Sequence, residues 1–264
     1  MTSTLREVQI ETIQAYVAFV DGLGASKQRP RWFRGCRDSG HALVPSLYRR
    51  AADSVEELSK LESDLLLMFK SRSAPYYTQR PESDWEYLFL LQHFGVPTRL
   101  LDLSENSLIA LYFATAPRLA QTDAATSDAA VWVLDPTRWN SHALDLAGES
   151  GAIMTVDDID IGYAPRSRVT MNRYPLAMYG THNSPRIVAQ RGAFTIFGAD
   201  TDPLEGWYVD RNFPADSLLK VTLPASDIEG LRRSLDALGF AETMVYPDLE
   251  GLARELKRKF GFEK

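Results

Sequence analysis

Cysteine is almost missing from this chain. Cys36 stands alone among 264 residues, so no disulfide can close within the chain and no cysteine cluster can hold zinc. Histidine is scarce as well. His41, His93, His142 and His182 lie far apart, with no paired ligand spacing, and no metal is expected. An excess of positive charge is also lacking. The formal net charge is −6, which argues against bulk binding to a phosphate backbone, although arginines near the apparent motifs leave room for a local basic cleft. No apolar run reaches the roughly 20 residues that span a bilayer, so no membrane partner is expected. The N-terminus lacks the charged-then-apolar pattern of a secretory signal, and the expectation is a cytoplasmic protein. No internal repeat and no linker is visible, which predicts one domain over 1–264.

What is present is ordinary material for a large core: 45% hydrophobic and 24% charged residues. Thr4-Leu5-Arg6-Glu7 reads as a capping box opening a helix over 4–21, with Ile10, Ile13, Val17 and Val20 on one face. Trp32 to Gly35 reads as a short strand, and Leu43 to Arg49 as a proline-broken segment packed across a sheet. A second capping box, Ser54 to Glu57, opens a long helix that Pro75 stops. Ser83-Asp84 caps another helix, from Trp85 to Phe94.

The chain is organised around the stretch His93 to Ala116. Gly95 and Pro97 punctuate a helix end, Thr98 to Leu103 is a strand-like run, and Leu108 to Ala114 is a helix apolar nearly all round. Ser104 or Asn106 caps that helix. Arg99, Asp102 and Ser104 therefore sit beside the N-terminus of a buried helix, a place suited to an anionic or hydroxyl-rich ligand.

Further on, a polar loop covers 121–128 and a strand covers Ala130 to Leu134. The pattern from Thr137 to Pro175 has no clear period, and reads as an insertion over the site or a set of short turns. Strands are expected at Leu176–Tyr179, on both sides of a break at Gly192 within 183–198, and at Leu218–Leu223. Helices over 226–260 close the chain, the last carrying Leu249, Leu252, Leu256 and Phe260. With no βαβ alternation, the expected class is α+β, with N-terminal helices packed on a mixed or split β-sheet.

Several blocks together resemble the FRG domain family. They are Phe33-Arg34-Gly35, then Leu43-Val44-Pro45-Ser46-Leu47-Tyr48-Arg49, then Gln92-His93-Phe94-Gly95-Val96-Pro97-Thr98-Arg99-Leu100-Leu101-Asp102, and Ala110-Leu111-Tyr112-Phe113-Ala114. Gln190 to Thr195 and Tyr246 to Leu252 extend the resemblance across nearly the whole chain. A weaker similarity links the chain to ADP-ribosyltransferases of the Arg-Ser-Glu type, in the order Arg34, Ser104, Gln190. Glutamine departs from that pattern at the third position.

The second resemblance implies an ADP-ribosyltransferase-like fold and NAD as substrate. It implies Arg34, Ser104 and Gln190 as catalytic residues, and a role such as bacterial toxin or anti-phage defence effector acting on a protein or nucleic-acid target. Cleaving the nicotinamide–ribose bond passes through an oxocarbenium-like state. Arg34 can fork onto phosphate or ribose oxygens, and Gly35 would let a ligand approach the backbone. Ser104 can hold the ribose edge. Gln190 can hydrogen-bond ribose hydroxyls but cannot act as a base or supply negative charge, which leaves Asp102 and Glu105 as the nearest spare carboxylates. Arg99, Asp102, His93 and Tyr112 complete the expected nucleotide contacts.

Each residue also has a structural reading. Arg34 can form an ion pair, Gln190 can satisfy a bulge, His93 can finish a helix and Tyr112 can belong to the core. On those readings the chain is a non-catalytic nucleotide-sensing or interaction module on the same fold.

Overall fold

The computed structural model describes residues 4–24, 29–52, 54–77, 80–116, 127–148, 151–165, 172–181 and 184–262. The first half runs β1 (Arg6–Gln9), α1 (Ile13–Gly22), β2 (Trp32–Cys36), α2 (Val55–Arg72), α3 (Asp84–His93), β3 (Leu100–Ser104), α4 (Ser107–Thr115) and β4 (Ala129–Leu134). The second runs α5 (Pro136–Leu146), α6 (Asp160–Tyr163), β5 (Leu176–Met178), α7 (Pro185–Ala189), β6 (Gly192–Ile196), α8 (Leu204–Asp210), β7 (Leu218–Leu223), α9 (Ile228–Ala237), α10 (Glu242–Val245) and α11 (Leu249–Lys259).

The strands form one seven-stranded mixed sheet in the order β1-β7-β4-β2-β3-β6-β5, in which only β1 and β7 run parallel. The class is α+β, as the sequence predicts. Alternation along β2 shows the two-sided core. Trp32 and Cys36 join Leu88, Phe89, Trp139 and Trp207 on one face, which α2, α3, α5 and α8 cover. Phe33 joins Ile13, Leu111, Val221 and Leu231 on the other, under α1, α4 and α9.

Three expectations change. The helix expected over 4–21 begins only at Ile13, because residues 6–9 pair with Leu219 to Thr222 as an edge strand. Glu7 bonds Thr222 and Lys220 across that pairing, and Thr12 takes over the cap by accepting from Ala15 N at 3.2 Å. The first half of the 183–198 run is helix α7, not strand. Ser184 caps it and Pro185 occupies its first turn, where a missing N–H costs nothing. The patternless stretch from 137 opens with helix α5. Asp135 caps it, accepting from Arg138 N at 3.0 Å and pairing with buried Arg31.

Asn140 of α5 does what a further strand would do for β5. Its side chain accepts from Ala177 N at 2.7 Å and donates to Ala177 O at 2.8 Å and Ala152 O at 2.7 Å. Of the expected polar loop, 121–126 lies outside the described residues, as does His182. Among the described residues no helix is long and apolar enough to cross a membrane.

Candidate functional site

The site begins where the sheet is most thinly paired. β2 pairs with β4 through five residues, and β3 pairs with β6 through five. β2 and β3 meet at one pair alone, Phe33 with Ser104. Beyond it no further registered pair joins the two strands, and Arg34 reaches across. Its Nη1 donates to the Asp102 carbonyl at 2.6 Å and lies 4.0 Å from the Asp102 carboxylate.

Gly35 explains why β2 can sit there. A Cβ on Gly35 would lie 1.9 Å from the Ala110 carbonyl oxygen and 2.6 Å from the Ala114 nitrogen. The bare backbone therefore serves the approach of helix α4. The expectation that it admits a ligand is corrected: the open side of Gly35 is filled by that helix, while Arg34 points to the opposite face.

Around Arg34 the polar groups are ordered in a chain. Gln92 Nε2 donates to Asp102 Oδ2 at 2.5 Å, and the Thr98 hydroxyl donates to Gln92 Oε1. The Thr98 nitrogen donates to Ser46 Oγ at 3.3 Å, tying this chain to the Leu43–Arg49 segment. Arg49 donates from Nε to the Val44 carbonyl at 3.0 Å. Burial, and then the nearby Arg34 charge, lower the pKa of Arg49. Two guanidiniums thus stand near each other while the half-exposed Asp102 carboxylate lies by Arg34, an arrangement that attracts an anion.

Glu105 and Tyr179 flank the same face. The Tyr179 hydroxyl donates to Glu105 Oε1 at 2.9 Å, and its ring meets Trp32 edge-on at 5.1 Å. Burial, and then the bond to Glu105, push the Tyr179 phenol up to about 12. Trp32 and Arg34 are next neighbours on one face of β2, so the acidic pair stands one step along the strand from the guanidinium.

The other expected residues are placed elsewhere. Ser104 lies directly opposite Phe33, at the one pair between β2 and β3. Its hydroxyl donates to the Gln190 carbonyl at 2.6 Å and accepts from Asn106 N at 2.9 Å, shaping the elbow before α4. Asn106 is the cap, accepting from Leu108 N at 3.0 Å. The Gln190 amide donates to the Val245 carbonyl at 3.0 Å and holds α7 to α10. Ser104 and Gln190 are therefore brought together, and Arg34 bonds Asp102, two residues before Ser104 on β3.

Arg99 is corrected from nucleotide contact to core tie. It is 1% exposed, pairs with Glu62 at 3.1 Å and donates to the Tyr163 carbonyl, so no ligand reaches it. His93 Nδ1 lies 3.3 Å from Ser184 Oγ. Burial, and then the Arg186 charge, lower its pKa. Tyr112 is buried beside Phe113 and Phe240, and burial raises its phenol to about 12.

Sequence reasoning missed Tyr179 and the roles of Gln92 and Arg49. Gln92 and Arg49 each end or open a quoted motif block, which was the available signal. Among the described residues no group of three His, Cys, Asp or Glu side chains could hold a metal ion.

Comparison with known proteins adds one match. The FRG domain family model matches residues 29–123, which hold Phe33-Arg34-Gly35, the Leu43–Arg49 segment, Gln92 to Asp102 and helix α4. The resemblance expected across nearly the whole chain is thereby confined to this part, with Gln190 to Thr195 and Tyr246 to Leu252 outside it. No curated protein and no solved structure matches the chain.

Proposed function

We propose that the opening between β2 and β3 is a nucleotide-binding cleft, and that the chain binds NAD there and transfers or releases its ADP-ribosyl group. The observation that carries this reading is Arg34, which reaches from β2 to the Asp102 carbonyl of β3 and lies near a second guanidinium, that of Arg49. A pyrophosphate suits that pair, because a guanidinium forks onto its oxygens. The Asp102–Gln92–Thr98 chain orients the ribose side. Glu105, held by Tyr179, takes the part that Gln190 lacks the charge to play. As the C1′–N bond breaks, nicotinamide leaves with the electron pair, and the carboxylate stabilises the cation until an acceptor or water adds. A role as bacterial toxin or defence effector in the cytoplasm follows from that chemistry if the acceptor is a macromolecule of another cell or phage.

A second reading has its own support. The Ser104 hydroxyl and Gln190 amide are both committed to backbone carbonyls, which fits a module that senses a nucleotide without turning it over.

Titration with NAD by calorimetry, together with nicotinamide release, separates the two. Saturable binding is expected, weakened at least about tenfold by Arg34→Ala, as loss of a charge-assisted contact requires. Glu105→Gln is expected to keep binding and lose release. Binding without release in the unaltered chain favours the sensing module. Absence of both overturns the nucleotide reading.

A further inference from the structure

Helix α11 is inside out. Its contacts with the body are made by Gly251, Glu255 and Arg258. Glu255 accepts from the Thr243 hydroxyl at 2.7 Å, Arg258 pairs with buried Glu242, and a Cβ on Gly251 would lie 2.0 Å from the Tyr246 carbonyl. The polar edge thus faces the protein. Leu249, Leu252, Ala253, Leu256 and Phe260 form the opposite face and are exposed, Leu249 at 84% and Phe260 at 70%. A surface helix ordinarily turns its apolar stripe to the core, and a contiguous exposed stripe marks a contact surface.

We infer that this stripe is the contact between two copies of the chain, packed as an antiparallel helix pair. The spacing of Leu249, Ala253, Leu256 and Phe260 alternates four, three and four residues, the repeat of a two-helix seam. The charges beside the stripe select the partner. Glu250, whose Oε1 also accepts from Arg254 of its own helix, lies on one flank near the start of α11, and Lys257 lies on the same flank two turns later. A second copy running the opposite way sets each Glu250 against the other's Lys257, twice by symmetry, and packs Leu249 beside the other Phe260. This contact is independent of the nucleotide reading, since α11 lies outside the region matched by the FRG domain and holds none of the residues that reading uses.

An α11 pair alone is a small interface of about 16 Å in length, so reversible dimerisation with a roughly micromolar Kd is expected. Sedimentation velocity on the full chain reads it. Leu256→Asp, at a position already in solvent, is expected to keep the far-ultraviolet dichroism and weaken the dimer at least about tenfold. Glu250→Lys is expected to weaken it, and adding Lys257→Glu to restore it. A chain that stays monomeric to ~100 μM, well above that Kd, overturns the proposal, as does a dimer indifferent to Leu256→Asp. A double charge swap no better than Glu250→Lys overturns the antiparallel arrangement.

Discussion

At the scale of single residues, two glycines show how much the surroundings decide. Gly35 has the Ala110 carbonyl where a Cβ would go, whereas a Cβ on Gly22 would meet nothing within 4 Å. Gly35→Ala must push β2 away from α4, and backbone cannot yield as a flexible side chain can. A loss of about 3 kcal/mol or more is expected, a fall in Tm of roughly 10 °C for a chain of this size. Gly22→Ala, at the end of α1 and with no positive φ, is expected to be neutral or to add up to about 1 kcal/mol by restricting the unfolded chain. Thermal unfolding of both variants checks the contrast, and equal effects would remove the packing argument. The sequence makes Arg34 and Gly35 visible as a pair but gives their purposes in the wrong order. It suggests a glycine that admits a ligand, whereas the space beside it belongs to a helix more than seventy residues later. Arg99 misleads for a similar reason. Its partner Glu62 lies on α2, and nothing local in the sequence reports that pairing.

At the scale of elements, legibility follows how local the determining contacts are. Helices α2 and α3 with their serine caps, α9 with its apolar Leu231–Leu235 face, and the apolar strands β4 and β7 are readable because those signals lie within each segment. Edge strand β1 is not readable, because four residues flanked by a helix-like pattern become a strand only when β7 offers its edge. Helix α7 has its cap and its proline in plain view, but the β-branched pair Ile187-Val188 imitates a strand. Helix α5 buries Pro136, Trp139, Asn140, Ala143 and Leu144 at helical spacing, but an asparagine stands in that stripe where an apolar residue would mark it, and much of what fixes the helix is long-range. Asn140 is fully buried and makes three hydrogen bonds to the segment around β5. Asn140→Leu leaves the Ala177 amide and two carbonyls without that partner in an apolar site. A loss of about 2–4 kcal/mol is expected, with the first loosening at β5. Urea unfolding gives the size of the loss, and limited proteolysis near Ala177 gives its place. Unchanged stability would mean that β5 holds without α5.

At the scale of the whole molecule, the sheet is continuous in order but not in strength. The β1-β7-β4-β2 half and the β3-β6-β5 half are joined by the single pair Phe33–Ser104, with α4 touching strands on both sides of the seam. Elsewhere neighbouring strands exchange bonds along their length. Backbone groups turned into the seam have side chains as partners, as when Arg34 serves the Asp102 carbonyl. Such groups open with less cost than groups in a ladder. Amides of β2 and β3 that face the seam are therefore expected to exchange with deuterium at least about tenfold faster than those between β4 and β7, although both regions are buried. An anion bridging Arg34 and Arg49 would pin the two halves together and slow those amides selectively, leaving the β4–β7 ladder unchanged. Native-state exchange resolved by residue, with and without NAD, tests both steps. Uniform protection across the sheet in the free protein removes the seam as a point of weakness. A weak seam that NAD leaves unchanged would keep the sheet's mechanics and remove its link to the ligand. The two outcomes separate what the backbone pairing provides from what the arginines are there to bind.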